Sequence, residues 1–384
     1  MNVESNVTKV LFFRESLAGG GAEKVLTDIV CNLNSEKFDI TVCTITDEDI
    51  YQKKVAKACK YVTFLNKKEY RAGGVKKVLF WLKMKFIYMF PSAMVYRLFV
   101  HEKYDVEIAF VEGFATKFIA ASLNKKSKKV AWVHTDMQKN TYADSYYKSI
   151  RQHRSIYKNY QKIVCVSQSV RNAFQKKFGI WDNISVQYNP VDECKIRRMS
   201  KEKCSLVKTR KLLLGTVGRL ENQKGCRRLL ECIKEVRSQS KEFEVWIIGD
   251  GSQRKKLQKY IDKNNLVDTV TLVGFQENPY KYLKCCDAFI CSSYVEGFST
   301  AATESLILGK PIFTVKCAGM EELIGDSKCG KIVENTDKNL TELIRDLVDG
   351  KYDLKQYQKE ALKRGQEFKL QYRIAEIENL LSDL

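Results

Sequence analysis

Short apolar runs alternate with amphipathic segments along the whole chain. The first run covers 7–13, and after a glycine-rich loop the segment 22–33 places Val25, Ile29 and Leu33 at helical spacing. Because strand-then-helix alternation is typical of parallel sheets with crossover helices, this pattern predicts an α/β fold. Further strands are predicted at 40–45, 61–65, 106–111, 130–133, 163–166 and 185–188.

A second series of the same kind follows a turn around Pro190 and a polar stretch. Its strands are predicted at 212–217, 243–248, 269–273, 288–291, 312–315 and 331–333. A chain of 384 residues exceeds the size at which one hydrophobic core stops growing. We therefore predict two Rossmann-like domains, at 1–192 and 212–366, a linker at 193–211 and a helical segment at 367–384.

The charge balance adds an expectation about binding partners. Lys and Arg number 66 and Asp and Glu number 46, which gives a formal net charge of +20. Such an excess favours an anionic partner, whether nucleic acid, anionic lipid or a phosphorylated substrate. The thirteen cysteines are scattered without C-x2-C spacing and only three histidines are present, so we expect reduced thiols and no metal site.

No membrane-crossing or secretory segment is expected, but one stretch suits a membrane surface. The longest apolar run, 86–96, is too short to span a bilayer and contains Pro91. The segment 76–100 mixes aromatic and aliphatic residues with lysines, which is typical of a surface lying on an anionic bilayer. The alternative interpretation is a helix pair packed on the sheet with its lysines outward.

The candidate chemistry centres on 291–308, where Glu296 and Glu304 are separated by seven residues. A helix capped by Ser299 or Thr300 would begin at the carboxyl end of a strand and offer unpaired amides to phosphate, with Gly297 allowing close approach. Glu304, one turn into the helix, could accept hydrogen bonds from two ribose hydroxyls. The alternative is a loop-capping Glu296 and a solvated Glu304.

Basic and polar residues follow other predicted strands in the same way. Arg219 and Lys224 lie beside glycines after 212–217, where they could clamp a diphosphate, although solvated charge is the alternative. The loop 19–23, GGGAE, enters a helix and could bind phosphate or form a tight turn. His134 follows the strand at 130–133, where it could serve a ligand or a structural role.

The Glu-x7-Glu spacing of Glu296 and Glu304, together with VGRL and QKG within 217–225, resembles the retaining GT-B glycosyltransferases of the family 4-like, bacterial polysaccharide biosynthesis type. The resemblance implies two Rossmann-like domains facing across a cleft, with a C-terminal helix crossing back to the first. It also implies a metal-independent enzyme without a cofactor. Ser299 and Ser305 stand where proline and alanine are usual in the family.

The resemblance further implies roles for individual residues. Catalytic roles fall to Glu296, Arg219, Lys224 and His134. Substrate-binding roles fall to Gly20, Gly21, Glu23, Gly218, Gly274, Phe275, Gln276, Gly297, Phe298, Ser299, Thr300 and Glu304. The residues at 274–276 would form the base pocket, and we expect a UDP-sugar as donor rather than a GDP-sugar.

The predicted function is transfer of a hexosyl or N-acetylhexosaminyl group to an acceptor hydroxyl, with a lipid-linked saccharide of the cell envelope or capsule as acceptor. The protein would be cytoplasmic and peripheral on the inner face of the membrane. The alternatives are a GT-B sugar-nucleotide epimerase, a phosphorylase, an inactive partner subunit and a basic nucleic-acid-binding protein. We expect no nucleic-acid partner, since the sequence shows no recognisable nucleic-acid module.

Overall fold

The computed structural model describes residues 7–47, 50–325 and 328–384. The chain divides into two compact units. The first contains the described residues up to Pro190 together with Gln371–Leu384, and the second is Val191–Leu370. Each unit is built on one parallel sheet, so the predicted pair of Rossmann-like α/β halves is confirmed.

The first unit has a seven-stranded parallel sheet in the order β3-β2-β1-β4-β5-β6-β7. Its strands are β1 (Thr8–Arg14), β2 (Phe38–Thr46), β3 (Lys60–Leu65), β4 (Val106–Ala109), β5 (Lys128–Val133), β6 (Lys162–Cys165) and β7 (Ile184–Val186). Its helices are α1 (Gly21–Val30), α2 (Gln52–Ala58), α3 (Lys67–Arg71), α4 (Gly74–Met89), α5 (Ser92–Phe99), α6 (Phe114–Ala120), α7 (Ile150–Tyr157) and α8 (Gln168–Phe178). Phe13 of β1 is fully buried and stacks on Phe118 of α6, with ring centroids 4.2 Å apart.

The second unit has a six-stranded parallel sheet in the order β10-β9-β8-β11-β12-β13. Its strands are β8 (Leu212–Val217), β9 (Phe243–Ile248), β10 (Val270–Gly274), β11 (Ala288–Cys291), β12 (Ile312–Val315) and β13 (Gly330–Val333). Its helices are α9 (Glu193–Met199), α10 (Cys226–Arg237), α11 (Arg254–Lys263), α12 (Tyr280–Cys285), α13 (Thr300–Ile307), α14 (Met320–Ile324), α15 (Asp337–Val348) and α16 (Leu354–Gly365). Because parallel strands are covered on both faces, β9 is buried along its whole length.

Residues 193–211, predicted as a linker, belong to the second unit and begin with α9. Asp192 caps this helix by accepting a hydrogen bond from the Lys195 amide at 2.8 Å. Ile196 is buried in a cluster with Tyr280 and Ile307. The segment is mostly polar, which favoured a linker, but the buried side chain of Ile196 is enough to pack this short helix against the second unit.

The last helix, α17 (Leu370–Ser382), packs on the first unit, from Gln371 onward. Glu378 accepts a hydrogen bond from the Asn34 amide at 2.8 Å, and the Arg373 guanidinium lies 5.0 Å from the centroid of the Tyr188 ring. Ile377 is fully buried. These contacts return the end of the chain to the first unit.

Candidate functional site

The order of strands in the second unit reverses between β8 and β11, which are neighbours in the sheet. At such a point the connections on either side run in opposite directions, so the loops leave an open crevice at the carboxyl ends of the strands. Gly218 and Arg219 follow β8 directly, and residues 292–299 connect β11 to α13. The sheet therefore brings the two predicted motifs to one edge.

An ion pair joins these two loops. The Lys224 ammonium donates to Glu296 Oε1 at 2.7 Å and to Oε2 at 3.0 Å, and Ser293 Oγ lies 2.6 Å from Oε1. Burial lowers the pKa of Lys224, but the charge and hydrogen bonds of Glu296 outweigh it, so the net effect raises the pKa. Lys224 is therefore cationic throughout the neutral range.

The turn that carries Lys224 is held tightly against the loop after β11. Gly225 has φ +64°, and a Cβ there would collide with the Ser292 carbonyl oxygen. Ser292 Oγ donates to the Lys224 carbonyl at 3.1 Å, and Arg228 Nε donates to the Ser292 carbonyl at 2.7 Å. Only glycine fits at position 225, because both the backbone conformation and the close approach exclude a side chain.

Ser299 caps α13, as predicted, by accepting a hydrogen bond from the Ala302 amide at 3.4 Å. Phe298 is buried and packs against Phe368, with ring centroids 5.7 Å apart. Thr300 is the first residue of the helix, so its amide belongs to the unpaired set at the helix start. This helix N-terminus therefore offers donors and partial positive charge beside Glu296.

Glu304 is buried inside α13 rather than solvated, with 5% of the residue exposed. The Tyr280 hydroxyl donates to its Oε1 at 3.3 Å. Tyr280 begins α12 and is itself buried, so the carboxylate is held on the side of α13 that faces the protein.

A cavity at this edge shows which predicted residues come together. Its lining includes Gly218, Arg219, Lys224, Glu296 and Ser299. It does not include the predicted base-pocket residues 274–276, which lie at the end of β10, two strands away from β8 in the sheet, with Phe275 half exposed. The Gly249 amide donates to the Gly274 carbonyl at 2.8 Å, which ties the end of β10 to the residue that follows β9.

In the first unit, the glycine-rich loop holds a charged pair. Arg14 Nη2 at the end of β1 lies 2.8 Å from Glu23 Oε1, and both side chains are largely buried. Glu23 lies in the first turn of α1, which begins at Gly21, so the helix dipole favours its negative charge. A Cβ on Gly20 would clash with Glu23 Oε2, so a larger residue at position 20 would displace the carboxylate.

His134 follows β5, at the carboxyl edge of the first sheet. Its ring centroid lies 4.8 Å from that of Phe110, and its Nε2 is buried without a hydrogen-bond partner in the described part of the chain. Burial and the nearby Arg14 charge lower its pKa to about 3, although the polar Phe110 backbone acts in the opposite direction. The imidazole is therefore neutral at physiological pH.

Four residues that shape these sites were not singled out from the sequence: Arg14, Glu112, Arg228 and Ser293. In the first unit Arg14 pairs with Glu23, and Glu112 accepts from the His134 amide. In the second unit Arg228 and Ser293 form hydrogen bonds with residues of the loop that carries Glu296. In the sequence, only their position could have indicated a role, because Glu112 and Ser293 follow predicted strands. The partners of Glu112 and Arg228 are distant in sequence, whereas Ser293 bonds Glu296 three residues away and Arg14 pairs with Glu23 in the next loop.

Comparison with known families covers both halves of the chain. A model described as Glycosyltransferase Family 4 matches residues 19–194. A model described as Glycosyl transferases group 1 matches residues 199–364.

Curated relatives match over different lengths. The uncharacterized glycosyltransferase MJ1059 of Methanocaldococcus jannaschii is 38% identical over 109 residues, which are 28% of this chain and 27% of that protein. The N-acetylgalactosamine-N,N'-diacetylbacillosaminyl-diphospho-undecaprenol 4-alpha-N-acetylgalactosaminyltransferase of Campylobacter jejuni is 26% identical over 338 residues, 86% of this chain and 87% of the relative.

Solved structures show the same fold over nearly the whole chain. The Anabaena protein Alr3699/HepE, solved in complex with UDP and glucose, has a TM-score of 0.77 at 19% identity. The match covers 98% of this chain and 100% of the Anabaena chain. Staphylococcus aureus TarM, solved as a point mutant in a complex containing UDP, has a TM-score of 0.73 at 14% identity, with coverages of 97% and 99%. At these identities the likeness establishes the GT-B architecture.

Proposed function

Because the chain belongs to the GT-B glycosyltransferases, with a family 4 first half and a group 1 second half, we propose that it transfers a sugar from a nucleoside diphosphate sugar to an acceptor hydroxyl. The observation that carries this proposal is the Lys224–Glu296 pair, at 2.7 Å, beside Arg219 and the start of α13. Two cations and a helix N-terminus at a strand-order reversal form a site for a pyrophosphate.

The leaving diphosphate gains negative charge as the sugar departs, and this charge requires stabilisers that are already in place. Arg219 and Lys224 would supply positive charge, and the amides from Gly297 to Thr300 would supply donors. Lys224 is fixed by Glu296, whereas the exposed Arg219 side chain has no ion pair within the described ranges. This set can stabilise the leaving group without a metal ion, with the anomeric configuration retained as the family resemblance implies.

The remaining carboxylates and polar groups would select the donor. In our proposal Glu296 holds sugar hydroxyls, Glu304 accepts from the ribose, and residues 274–276 contact the base. His134 contacts the transferred sugar, and the loop with Gly20, Gly21 and Glu23 serves the phosphates and the acceptor. UDP is the proposed nucleotide, supported by its presence in complexes of the structural relatives.

We propose a lipid-linked saccharide as acceptor and an anionic membrane surface as the place of reaction. The name of the Campylobacter relative specifies a diphospho-undecaprenol-linked sugar, which supports this acceptor class. Support also comes from the α4–α5 surface, defined as the exposed side chains of residues 74–99. Of the 16 residues of α4 only Phe80 and Ile87 are buried, whereas Trp81, Leu82 and Met89 are more than half exposed.

Lysines accompany these apolar side chains on α4, at positions 76, 77, 83 and 85, whereas the helix has no acidic residue. This charge suits anionic headgroups, and the apolar side chains suit the acyl boundary beneath them. No helix within residues 7–47, 50–325 and 328–384 combines the length and hydropathy needed to cross a bilayer.

The proposal is tested by donor binding and by turnover. Thermal unfolding with UDP-, GDP- and ADP-sugars should show stabilisation by one nucleotide, because a ligand that binds only the native state raises its apparent stability. Arg219→Ala should lower sugar transfer about a hundredfold, the usual loss for one preorganised donor. The matched control is Arg227→Ala, since Arg227 is an exposed arginine on α10 paired with Glu231 and absent from the cavity lining.

Near-normal turnover by Arg219→Ala, with Arg227→Ala equally active, would contradict the assignment of the phosphate site. Conversion of the donor in the absence of any acceptor would instead identify an epimerase. Stabilisation by none of the nucleotide sugars would refute the donor class itself.

A further inference from the structure

A buried carboxylate ties together the ends of two neighbouring strands in the first unit. Glu112 lies in the loop after β4 and is fully buried. Its Oε1 accepts hydrogen bonds from the backbone amides of His134 at 2.6 Å and Thr135 at 2.7 Å, and from Thr135 Oγ1 at 3.2 Å. Three hydrogen bonds to one oxygen therefore fix the backbone of His134, which carries the imidazole.

The same loop also fixes the ring. The imidazole of His134 packs against the ring of Phe110, two residues before Glu112, with ring centroids 4.8 Å apart, and the Phe110 carbonyl accepts from Arg14 Nη1 at 3.4 Å. Nε2 is buried and has no hydrogen-bond partner among the described residues. In a neutral imidazole this nitrogen either donates its proton or accepts through its lone pair, and a hydroxyl can satisfy it in both cases.

A buried ring nitrogen without a hydrogen-bond partner is costly unless a ligand supplies one. We infer that Glu112 is the positioning residue of His134 and holds Nε2 where a hydroxyl of the bound ligand can hydrogen-bond to it. The identity of that hydroxyl as one of the transferred sugar rests on the proposed function; the positioning does not. Glu112 acts through the amides of His134 and Thr135 and touches no substrate itself.

The hold on the ring is tested by nitrogen NMR of the full chain labelled at its histidines. His101→Gln and His153→Gln variants identify the signals of His134 by elimination. Glu112→Ala should shift or broaden these signals, because the backbone that carries the ring is no longer held, whereas Glu112→Gln should leave them nearly unchanged. Signals that stay the same in Glu112→Ala overturn the positioning role whether or not the protein transfers sugar.

The positioning role is tested by a cycle of variants assayed for sugar transfer. Glu112→Ala should lower kcat about ten- to a hundredfold, because a displacement of about 1 Å can cost a hundredfold. Glu112→Gln retains an oxygen for the two amides and should recover most of the activity. The double variant Glu112→Ala, His134→Ala should be no slower than His134→Ala alone, since residues that act as one unit are not additive.

Losses that add in the double variant would show that Glu112 acts elsewhere, and they would refute the positioning role. If Glu112→Ala does not fold, Glu112→Met takes its place under the same rule, because methionine fills similar space without accepting from the two amides. An inactive wild-type protein whose His134 signals still respond to the change at Glu112 would refute the proposed function and leave the positioning role standing.

Discussion

Replacing Lys224 by methionine removes the cation that pairs with Glu296 while retaining an apolar stem of similar length. The wild-type carboxylate has two contacts with the ammonium, at 2.7 and 3.0 Å, and one with Ser293 Oγ at 2.6 Å. In the variant only the serine contact remains. The substitution therefore leaves a largely buried charge without its counterion.

The size of the effect follows from the burial of the two partners. Removing one member of a fully buried ion pair costs about 3–5 kcal/mol, whereas exposed pairs contribute about 0–1 kcal/mol. The Glu296 side chain is 8% exposed but that of Lys224 is 29% exposed, so water can reach the carboxylate once the lysine is gone. We expect a loss of about 2 kcal/mol, roughly thirtyfold in the opening equilibrium at about 1.4 kcal/mol per tenfold.

Amide hydrogen exchange followed by mass spectrometry resolves this loss by region. The protection of β8 and β9 should fall in Lys224→Met, because these strands report the opening of the second unit. Protection of β1 in the first unit is the internal reference. Lys331→Met, which removes an exposed lysine from β13 of the same unit, is the matched control.

The double variant Lys224→Met, Glu296→Gln completes the test. It should be more protected than Lys224→Met alone, because the uncompensated charge is gone. Unchanged protection in Lys224→Met, or losses that simply add in the double variant, would refute the view that this ion pair stabilises the loop.

Three further outcomes follow from the structure. Gly225→Ala should abolish nucleotide binding and destabilise the second unit. Gly350→Ala is the control, because Gly350 has a similar φ of +73° but open space around it, and it should cost only about 1 kcal/mol in thermal unfolding. Equal effects of the two variants would contradict the close approach of Gly225 to Ser292. Burial lowers the pKa of His153 to about 4, from about 6.5 in the unfolded chain, so roughly 3 kcal/mol of folding stability is present above pH 6.5 and is lost as the pH falls toward 4. In His153→Phe the free energy of unfolding of the first unit, measured in urea, should therefore change less between these pH values. An unchanged pH dependence would exclude the histidine as its cause. Replacing Trp81 and Leu82 by serine should weaken flotation with anionic vesicles without affecting nucleotide binding, and equal wild-type binding to zwitterionic vesicles would argue against the membrane surface.

The sheets could be predicted closely because their strands are buried on both faces. Residues 212–217, 243–248, 288–291 and 312–315 are strands over the whole predicted length. Their apolar runs end where the polar loops begin, so the pattern carries the boundary. Helix ends were less accurate: α1 ends at Val30, although Leu33 continues the apolar spacing and is buried in the turn that follows.

The residues of the candidate site also divide into those that the sequence could predict and those that it could not. Glu296, Lys224 and Ser299 could be predicted because each follows a strand at the same sheet edge, where parallel strands bring their carboxyl ends together. Glu112 could not, since its hydrogen bonds cross from the loop after β4 to the loop after β5, which sequence spacing does not encode. Ser293 lies only three residues from Glu296, but that spacing alone does not show which group a serine hydroxyl will bond. The base-pocket residues 274–276 lie at the edge, but the cavity around Glu296 does not extend to them.

Two arginines near this cavity show how structure separates charges that sequence cannot. Arg228 is 2% exposed, and its guanidinium donates to the Ser292 carbonyl at 2.7 Å and to Asn335 Oδ1 at 2.8 Å, with the Tyr294 ring 4.2 Å away. Its donors therefore fix the loop that carries Glu296. Arg219 is exposed, and its guanidinium makes no hydrogen bond or ion pair in the parts of the chain that are described. In a protein with 66 basic residues, unpaired donors at the edge of the sheet distinguish Arg219 from Arg228, and they make Arg219 the arginine that we propose for the phosphate.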